Sequence, residues 1–129
     1  MSLNILIVDD SSLTRKAIRR IIDMIDLGVE QILEAENGSE ALKVLDTANI
    51  DLVLADLNMP EMTGIEMIYR MRDNEATKDI PVVLVTTESS TTRIEGLLAN
   101  GAKAYLHKPF TPEELKKVIT QALGVISHD

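Results

Sequence analysis

Five residues carry most of the reactive chemistry in this chain: Asp9, Asp10, Asp56, Thr86 and Lys108. Each stands at or just beyond the end of a short apolar run. Asp9-Asp10 closes Asn4 to Val8, Asp56 closes the run from Asp51, Thr86 closes Pro81 to Thr86, and Lys108 follows Lys103 to Leu106. Runs of this kind read as strands buried on both faces, and the carboxyl ends of parallel strands form the rim where ligands bind. Two carboxylates about 5 Å apart repel by roughly 3 kcal/mol at an effective dielectric near 20. Three together call for a cation, and oxygen ligands without histidine or cysteine select Mg²⁺, Mn²⁺ or Ca²⁺ over zinc. A site that keeps open positions and waters suits Mg²⁺. A hydroxyl and an ammonium facing that metal are what a phosphoryl group needs: Lys108 neutralises its oxygens and Thr86 donates a hydrogen bond. The nucleophile can be a carboxylate, ionised at neutral pH without a general base. The product is then an acyl phosphate, labile enough for a transient signal.

Alone, each residue has a plainer explanation. Asp9-Asp10 could form a turn ahead of a helix, Asp56 could be a solvated strand end, and Lys108 could lie in water, the usual fate of lysine. Their coincidence at one rim favours a site.

The elements that must position them follow in order. After Asp9-Asp10, Ser11-Ser12 supplies helix N-cap candidates, Ser12 the better placed. Leu13, Ala17, Ile18, Ile21, Ile22 and Ile25 keep helical spacing, with Arg15, Lys16, Arg19 and Arg20 on the other, solvated side. Gly28 ends this helix or the loop after it. Gln31 to Ala35 is a second strand. Asn37-Gly38 punctuates, and Ala41, Leu42, Leu45 and Ala48 mark a second helix. The strand ending at Asp56 follows. Thr63-Gly64-Ile65-Glu66 matches a capping box, and Ile65, Ile68 and Met71 continue as a buried stripe. Ser89 to Asn100 is a weaker fourth helix with Ile94, Leu97 and Leu98 inward, Gly96 in its interior, and Asn100-Gly101 as its stop; the glycine costs about 1 kcal/mol relative to alanine. Thr111-Pro112-Glu113-Glu114 opens a fifth helix with N-cap, proline at N1 and glutamate at N3. Leu115, Val118, Ile119, Ala122 and Leu123 form its apolar face. Five strands alternating with five helices predict an α/β domain with a parallel sheet and right-handed crossovers.

Composition narrows the function. The 129 residues predict one domain, 1–129, with its core over about 4–124. No cysteine occurs, which excludes disulfides and thiolate metal sites and fits a reducing cytoplasm. A formal charge of -8 argues against direct nucleic-acid or anionic-membrane binding. No basic region precedes an apolar segment at the N-terminus, and no apolar run approaches spanning length, so no membrane insertion is expected. Tyr69, Tyr105 and Phe110 are the only aromatics, which disfavours stacking platforms for bases or flavins.

Asp9-Asp10, the run Asp56-Leu57-Asn58-Met59-Pro60, Thr86, and Gly101 to Phe110 with Lys108-Pro109 match one family in type, order and spacing. Over nearly its whole length the chain resembles the receiver domain of two-component response regulators. The resemblance implies a doubly wound, flavodoxin-like (CheY-like) sheet of order 2-1-3-4-5 with five helices. It implies that Asp56 accepts a phosphoryl group from a histidine kinase's phosphohistidine, a phosphotransfer protein or a small acyl phosphate. Asp10, Asp56 and the backbone carbonyl of Asn58 would bind Mg²⁺ directly, and Asp9 mainly through water. Thr86 and Lys108 would hold phosphoryl oxygens, and Lys108-Pro109 would be cis. Thr86 and Tyr105 would form the switch, coupling the site to an effector-binding face of helix four, strand five and helix five. Helix one would meet the phosphotransfer domain. Asn58 and Glu88 would flank the hydrolytic water as in fast-hydrolysing chemotaxis regulators, while Thr87, where alanine is common, would slow hydrolysis. Thr63 replaces a frequent aspartate and still caps. The chain ends shortly after helix five, so output is expected through a partner protein unless the chain is a fragment of a longer regulator.

Other features have plainer roles. Met67 and Met71 read as core, Met59 and Met62 as flanking the site and partly exposed, His107 as surface. Tyr105 could instead be a static strand aromatic, and Gly96 could simply permit close packing. Two further functions compete. An aspartate-nucleophile phosphatase needs an acid two residues after the nucleophile, where this chain has Asn58, and usually a cap region. A flavodoxin-like cofactor binder needs a phosphate-cradling glycine loop, and the glycines at 28, 38, 64, 96, 101 and 124 lack that spacing. The expectation is a signalling switch that catalyses only its own phosphorylation and dephosphorylation.

Overall fold

The apolar runs pair as expected. In the computed structural model, which describes residues 3–87, 91–99 and 101–124 (Thr91 by its backbone only), five strands form one parallel sheet in the order β2-β1-β3-β4-β5. They are β1 Leu3–Val8, β2 Val29–Ala35, β3 Leu52–Asp56, β4 Val82–Thr86 and β5 Ala104–His107. The helices alternate with them: α1 Ser12–Met24, α2 Gly38–Thr47, α3 Gly64–Arg72, α4 Thr91–Ala99 and α5 Pro112–Ala122. Glu88 and Asn100 lie outside the described residues, so the expectations placed on them are not addressed.

Two-residue alternation splits the core between the two faces of the sheet. Leu6, Val8, Val53, Ala55, Val82 and Leu84 pack with Ala41, Leu45, Met67, Ile68, Met71 and Leu97, that is, against α2, α3 and α4. Ile5, Ile7, Leu52, Leu54, Val83 and Val85 pack with Ile18, Ile22, Leu115, Val118 and Ile119 of α1 and α5. Cover on both faces is why the inner strands β1, β3 and β4 read as apolar runs, while the edge strands β2 and β5 carry exposed polar residues.

Helix starts follow their capping chemistry. Thr63 and Thr111 form reciprocal capping boxes with Glu66 and Glu114, and the Asn37 side chain accepts from the Glu40 amide at 2.8 Å. At α1 the expected cap is corrected: Ser11, not Ser12, accepts from the Thr14 amide. The reason is tertiary, because Asp9 Oδ1 accepts from the Ser11 amide at 2.8 Å and fixes the turn one residue earlier. The α1 stripe is also narrower than its spacing suggests. Ile18 and Ile22 are buried, but Ala17 is exposed and Leu13 is 77% exposed. The first turn of α1 stands at the rim, beyond the apolar surface of the sheet. Met59, expected to be partly exposed, is buried with the α2–α3 side of the core. Gly96 does not serve close packing, since a Cβ built there meets no atom within 4 Å.

Candidate functional site

The register brings the acids together. Val8 pairs with Ala55, so one step further along the two strands sets Asp9 beside Asp56 at the point where the chain reverses its direction of winding. Among the described residues, Asp9, Asp10 and Asp56 each place a carboxylate oxygen within 4.8 Å of the others. Lys108, arriving from the end of β5, puts Nζ 3.2 Å from Asp9 Oδ2 and 3.9 Å from Asp56 Oδ1. It is therefore no solvated lysine: its side chain is mostly buried between the acids. Its own amide donates to the Thr86 carbonyl at 2.8 Å, and the Lys108-Pro109 bond that follows is cis.

The three carboxylates differ in their surroundings. Asp9 is buried at 2% exposure and held at every polar atom. Its amide donates to the Ala35 carbonyl, its carbonyl accepts from Arg15, and its carboxylate accepts from the Ser11 amide and Lys108. Asp10 is exposed and lines a cleft of about 390 Å³ with Glu36, Asn37, Pro60 and Glu61. Asp56 lies between these extremes. Burial pushes its carboxyl pKa up from the ordinary 3.8; Lys108 pulls it back, Asp9 and Asp10 add to the rise, and the Asn58 amide opposes it.

The loop after Asp56 is tightly set. Asn58 is exposed and its amide reaches Asp56 Oδ1 at 3.4 Å. Glu61 takes a left-handed φ of 68°. The Gly64 amide donates to the Leu57 carbonyl at 3.0 Å, and a Cβ on Gly64 would come 2.7 Å from the Asp56 carbonyl. Gly64 thus lets α3 begin directly against the backbone of Asp56. Thr86 is buried at the end of β4, and Thr87 beyond it is exposed. The β4–β5 register, Leu84 to Tyr105 and Thr86 to His107, places Thr86 and Tyr105 on one face of the sheet. Tyr105 is 39% exposed and His107 is exposed.

Sequence reasoning missed Arg15, which it placed on a solvated face. The side chain is largely buried, with Nε 2.9 Å from Glu34 Oε1 and Nη1 2.5 Å from the Asp9 carbonyl. Arg15 and Arg19, four residues apart, project to the same side and share Glu34. That spacing was a readable signal once β2 is known to lie beside β1. A larger open groove of about 550 Å³ runs along α3 at Glu66, Tyr69, Arg70, Arg72 and Asp73, but the convergent acids lie elsewhere.

Chemically the pocket offers only oxygen donors. That set suits a hard divalent cation such as Mg²⁺, Mn²⁺ or Ca²⁺ better than zinc. A doubly wound flavodoxin-like α/β domain with an acidic pocket at its switch point is the class that fold and site define. The model of the response regulator receiver domain matches residues 5–120. The chain is 38% identical to chemotaxis protein CheY1 of Helicobacter pylori, over 95% of this chain and 98% of that protein. It is 39% identical to chemotaxis protein CheY of Pseudomonas aeruginosa, over 91% and 93%. The structure of the chemotaxis response regulator CheY4 of Vibrio cholerae superposes with a TM-score of 0.83 at 34% identity, covering 95% of this chain and all of that one. The chain belongs to the response regulator receiver domain family, a family of signalling switches that act between histidine kinases and downstream effectors.

Proposed function

We propose that Asp56 is the phosphoacceptor of a chemotaxis-type receiver, and that the described pocket is its Mg²⁺-dependent phosphorylation site. The observation that carries this is the convergence of Asp9, Asp10 and Asp56 within 4.8 Å around one lysine. An Asp56 oxygen attacks phosphorus, and the P–N bond of a phosphohistidine, or the P–O bond of an acyl phosphate, breaks. The leaving imidazole or carboxylate keeps the bonding electrons. Lys108 sits where it can exchange Asp9 for a phosphoryl oxygen, and the Thr86 hydroxyl is the donor on the neighbouring strand.

Asp10 and Asp56, with the Asn58 carbonyl, are the residues that would hold Mg²⁺; Asp9, already engaged by Ser11 and Lys108, suits an indirect contact. When bound, the ion supplies positive charge to the acids and to the phosphoryl oxygens. The same face of the sheet carries Thr86 and Tyr105, which supports signal output through the surface of α4, β5 and α5 to a partner protein. The whole of 1–129 is read as a single cytoplasmic receiver. Absence of cysteine supports that location, and no helix among the described residues is long and apolar enough to cross a membrane.

Intact-protein mass spectrometry after incubation with acetyl phosphate and Mg²⁺ tests the proposal. One phosphoryl adduct is expected on the wild type and none on Asp56→Asn, with the fold retained by circular dichroism. Uptake by the variant at the normal rate would refute Asp56 as the acceptor.

A further inference from the structure

We propose that Arg15 is a positioning residue for the acidic pocket, a strut that sets the direction of Asp10 by fixing the peptide bond between Asp9 and Asp10. The proposal rests on the pocket being a Mg²⁺ and phosphoryl site. The Asp9 carbonyl that accepts from Arg15 Nη1 at 2.5 Å belongs to that peptide bond. A peptide unit is planar, so holding its oxygen fixes the plane from which the Asp10 Cα and carboxylate depart. Asp10 is exposed and gains most from being set by its backbone.

The strut has a firm footing. Arg15 Nε binds Glu34 Oε1 at 2.9 Å, Arg19 holds the other oxygen of Glu34 at 3.0 Å, and Glu34 lies on β2 in register with Ile7 of β1. The Arg15 side chain is 15% exposed, unlike an ordinary surface pair. Arg15, with Arg19 assisting against the opposing effect of burial, lowers the Glu34 carboxyl pKa from its ordinary 4.5 and so favours the ionised form of the footing. A planar guanidinium can reach a carboxylate and a carbonyl at once through a fixed fork. An ammonium at the same position is a single point charge and cannot reproduce both directions.

Charge and positioning predict opposite outcomes. Removing a cation beside an acidic pocket should tighten Mg²⁺ binding if only charge matters. Removing a strut should weaken it. Mg²⁺ is titrated calorimetrically into the full chain and into Arg15→Met, Arg15→Lys and Arg19→Met, with a urea melt of each to report stability separately. Outer partners of metal ligands typically change affinity by about 10- to 100-fold, and about 10-fold, the low end, is expected for a backbone contact. Both Arg15 variants should show that weakening, the lysine form despite its retained charge. Arg19→Met, which removes a cation from Glu34 without touching Asp9, should stay within about twofold of wild type. Unchanged or tighter Mg²⁺ binding in both Arg15 variants would overturn the proposal even if their stability fell. No Mg²⁺ binding by the wild type at millimolar concentration would instead remove the pocket reading on which the strut depends.

Discussion

Replacing Asp56 by asparagine should make the metal-free protein more stable. Asp56 has two carboxylates with oxygens within 4.8 Å of its own, each repelling it by about 3.5 kcal/mol or more at an effective dielectric near 20. The Lys108 ammonium at 3.9 Å returns about 4 kcal/mol on the same scale. The balance is about 3 kcal/mol of repulsion, and Asp10 is exposed, so salt screens part of it. Asparagine has nearly the same shape and keeps an oxygen for the Asn58 amide. A gain of about 1–3 kcal/mol follows, a rise of about 0.5–1.5 M in urea midpoint for a slope near 2 kcal/mol/M. The pH dependence has a definite sign. The folded pKa of Asp56 is raised above 3.8, so the folded state takes up this proton more readily than the unfolded chain. Wild type therefore recovers stability as pH falls through the raised folded value toward 3.8, and the advantage of the variant shrinks there. Saturating Mg²⁺ should also narrow it, because wild type gains RT ln(1 + [L]/Kd) through a ligand the variant lacks. Urea melts in chelator at pH 7 and at acid pH, repeated with Mg²⁺, read all three effects. A variant no more stable than wild type in chelator at pH 7, or a gap that widens on acidification, would show that the cluster is not electrostatically strained.

Two glycines give opposite expectations. Gly64→Ala would place a Cβ 2.7 Å from the Asp56 carbonyl and 3.1 Å from Leu84 Cδ2, so the backbone must shift; a loss of about 1–3 kcal/mol is expected from overpacking, with slower phosphoryl uptake, and a urea midpoint equal to wild type would refute the close approach. Gly96→Ala meets nothing within 4 Å and should stabilise α4 by about 0.5–1 kcal/mol, seen as slower amide exchange across Thr91–Ala99; unchanged or faster exchange would show that this glycine has a role its surroundings do not reveal.

Most of the scaffold was legible because both faces of the sheet are covered. Val53, Ala55, Val82 and Leu84 face one layer of helices, while Leu52, Leu54, Val83 and Val85 face the other. A strand in that position must be apolar throughout, and the apolar run then marks its end. The convergence of Asp9, Asp56 and Lys108 at one rim was readable for the same reason, since a carboxylate or lysine closing such a run has nowhere to go but the rim. What escaped depends on contacts between elements. Ser11 and Ser12 are equally good caps until Asp9 turns back to the Ser11 amide. Leu13 fits a helical stripe, yet it stands where the sheet has ended and is 77% exposed. Arg15 looks like one basic residue among four on α1, and only the β1–β2 pairing brings Glu34 under it.

The rim is held unevenly, and that asymmetry bears on how a signal could leave it. On the β1 side Asp9 is fixed through its amide, its carbonyl and both carboxylate oxygens. Moving it would break several hydrogen bonds, each worth about 0.5–1.5 kcal/mol and more where a charge takes part. On the β4–β5 side α4 is short and carries a glycine whose position leaves open space, while Tyr105 is half exposed at its edge. Regions with few packed contacts open at the lowest cost. A new charge-assisted contact at Asp56 therefore meets less resistance from α4 and the exposed Tyr105 of β5 than from Asp9 and the groups that hold it. Only a few kcal/mol need separate two arrangements there for such a contact to shift the population. Thr86 lies on the strand next to Asp56 and on the same face as Tyr105, so under the proposed function it is the residue through which that difference would be felt.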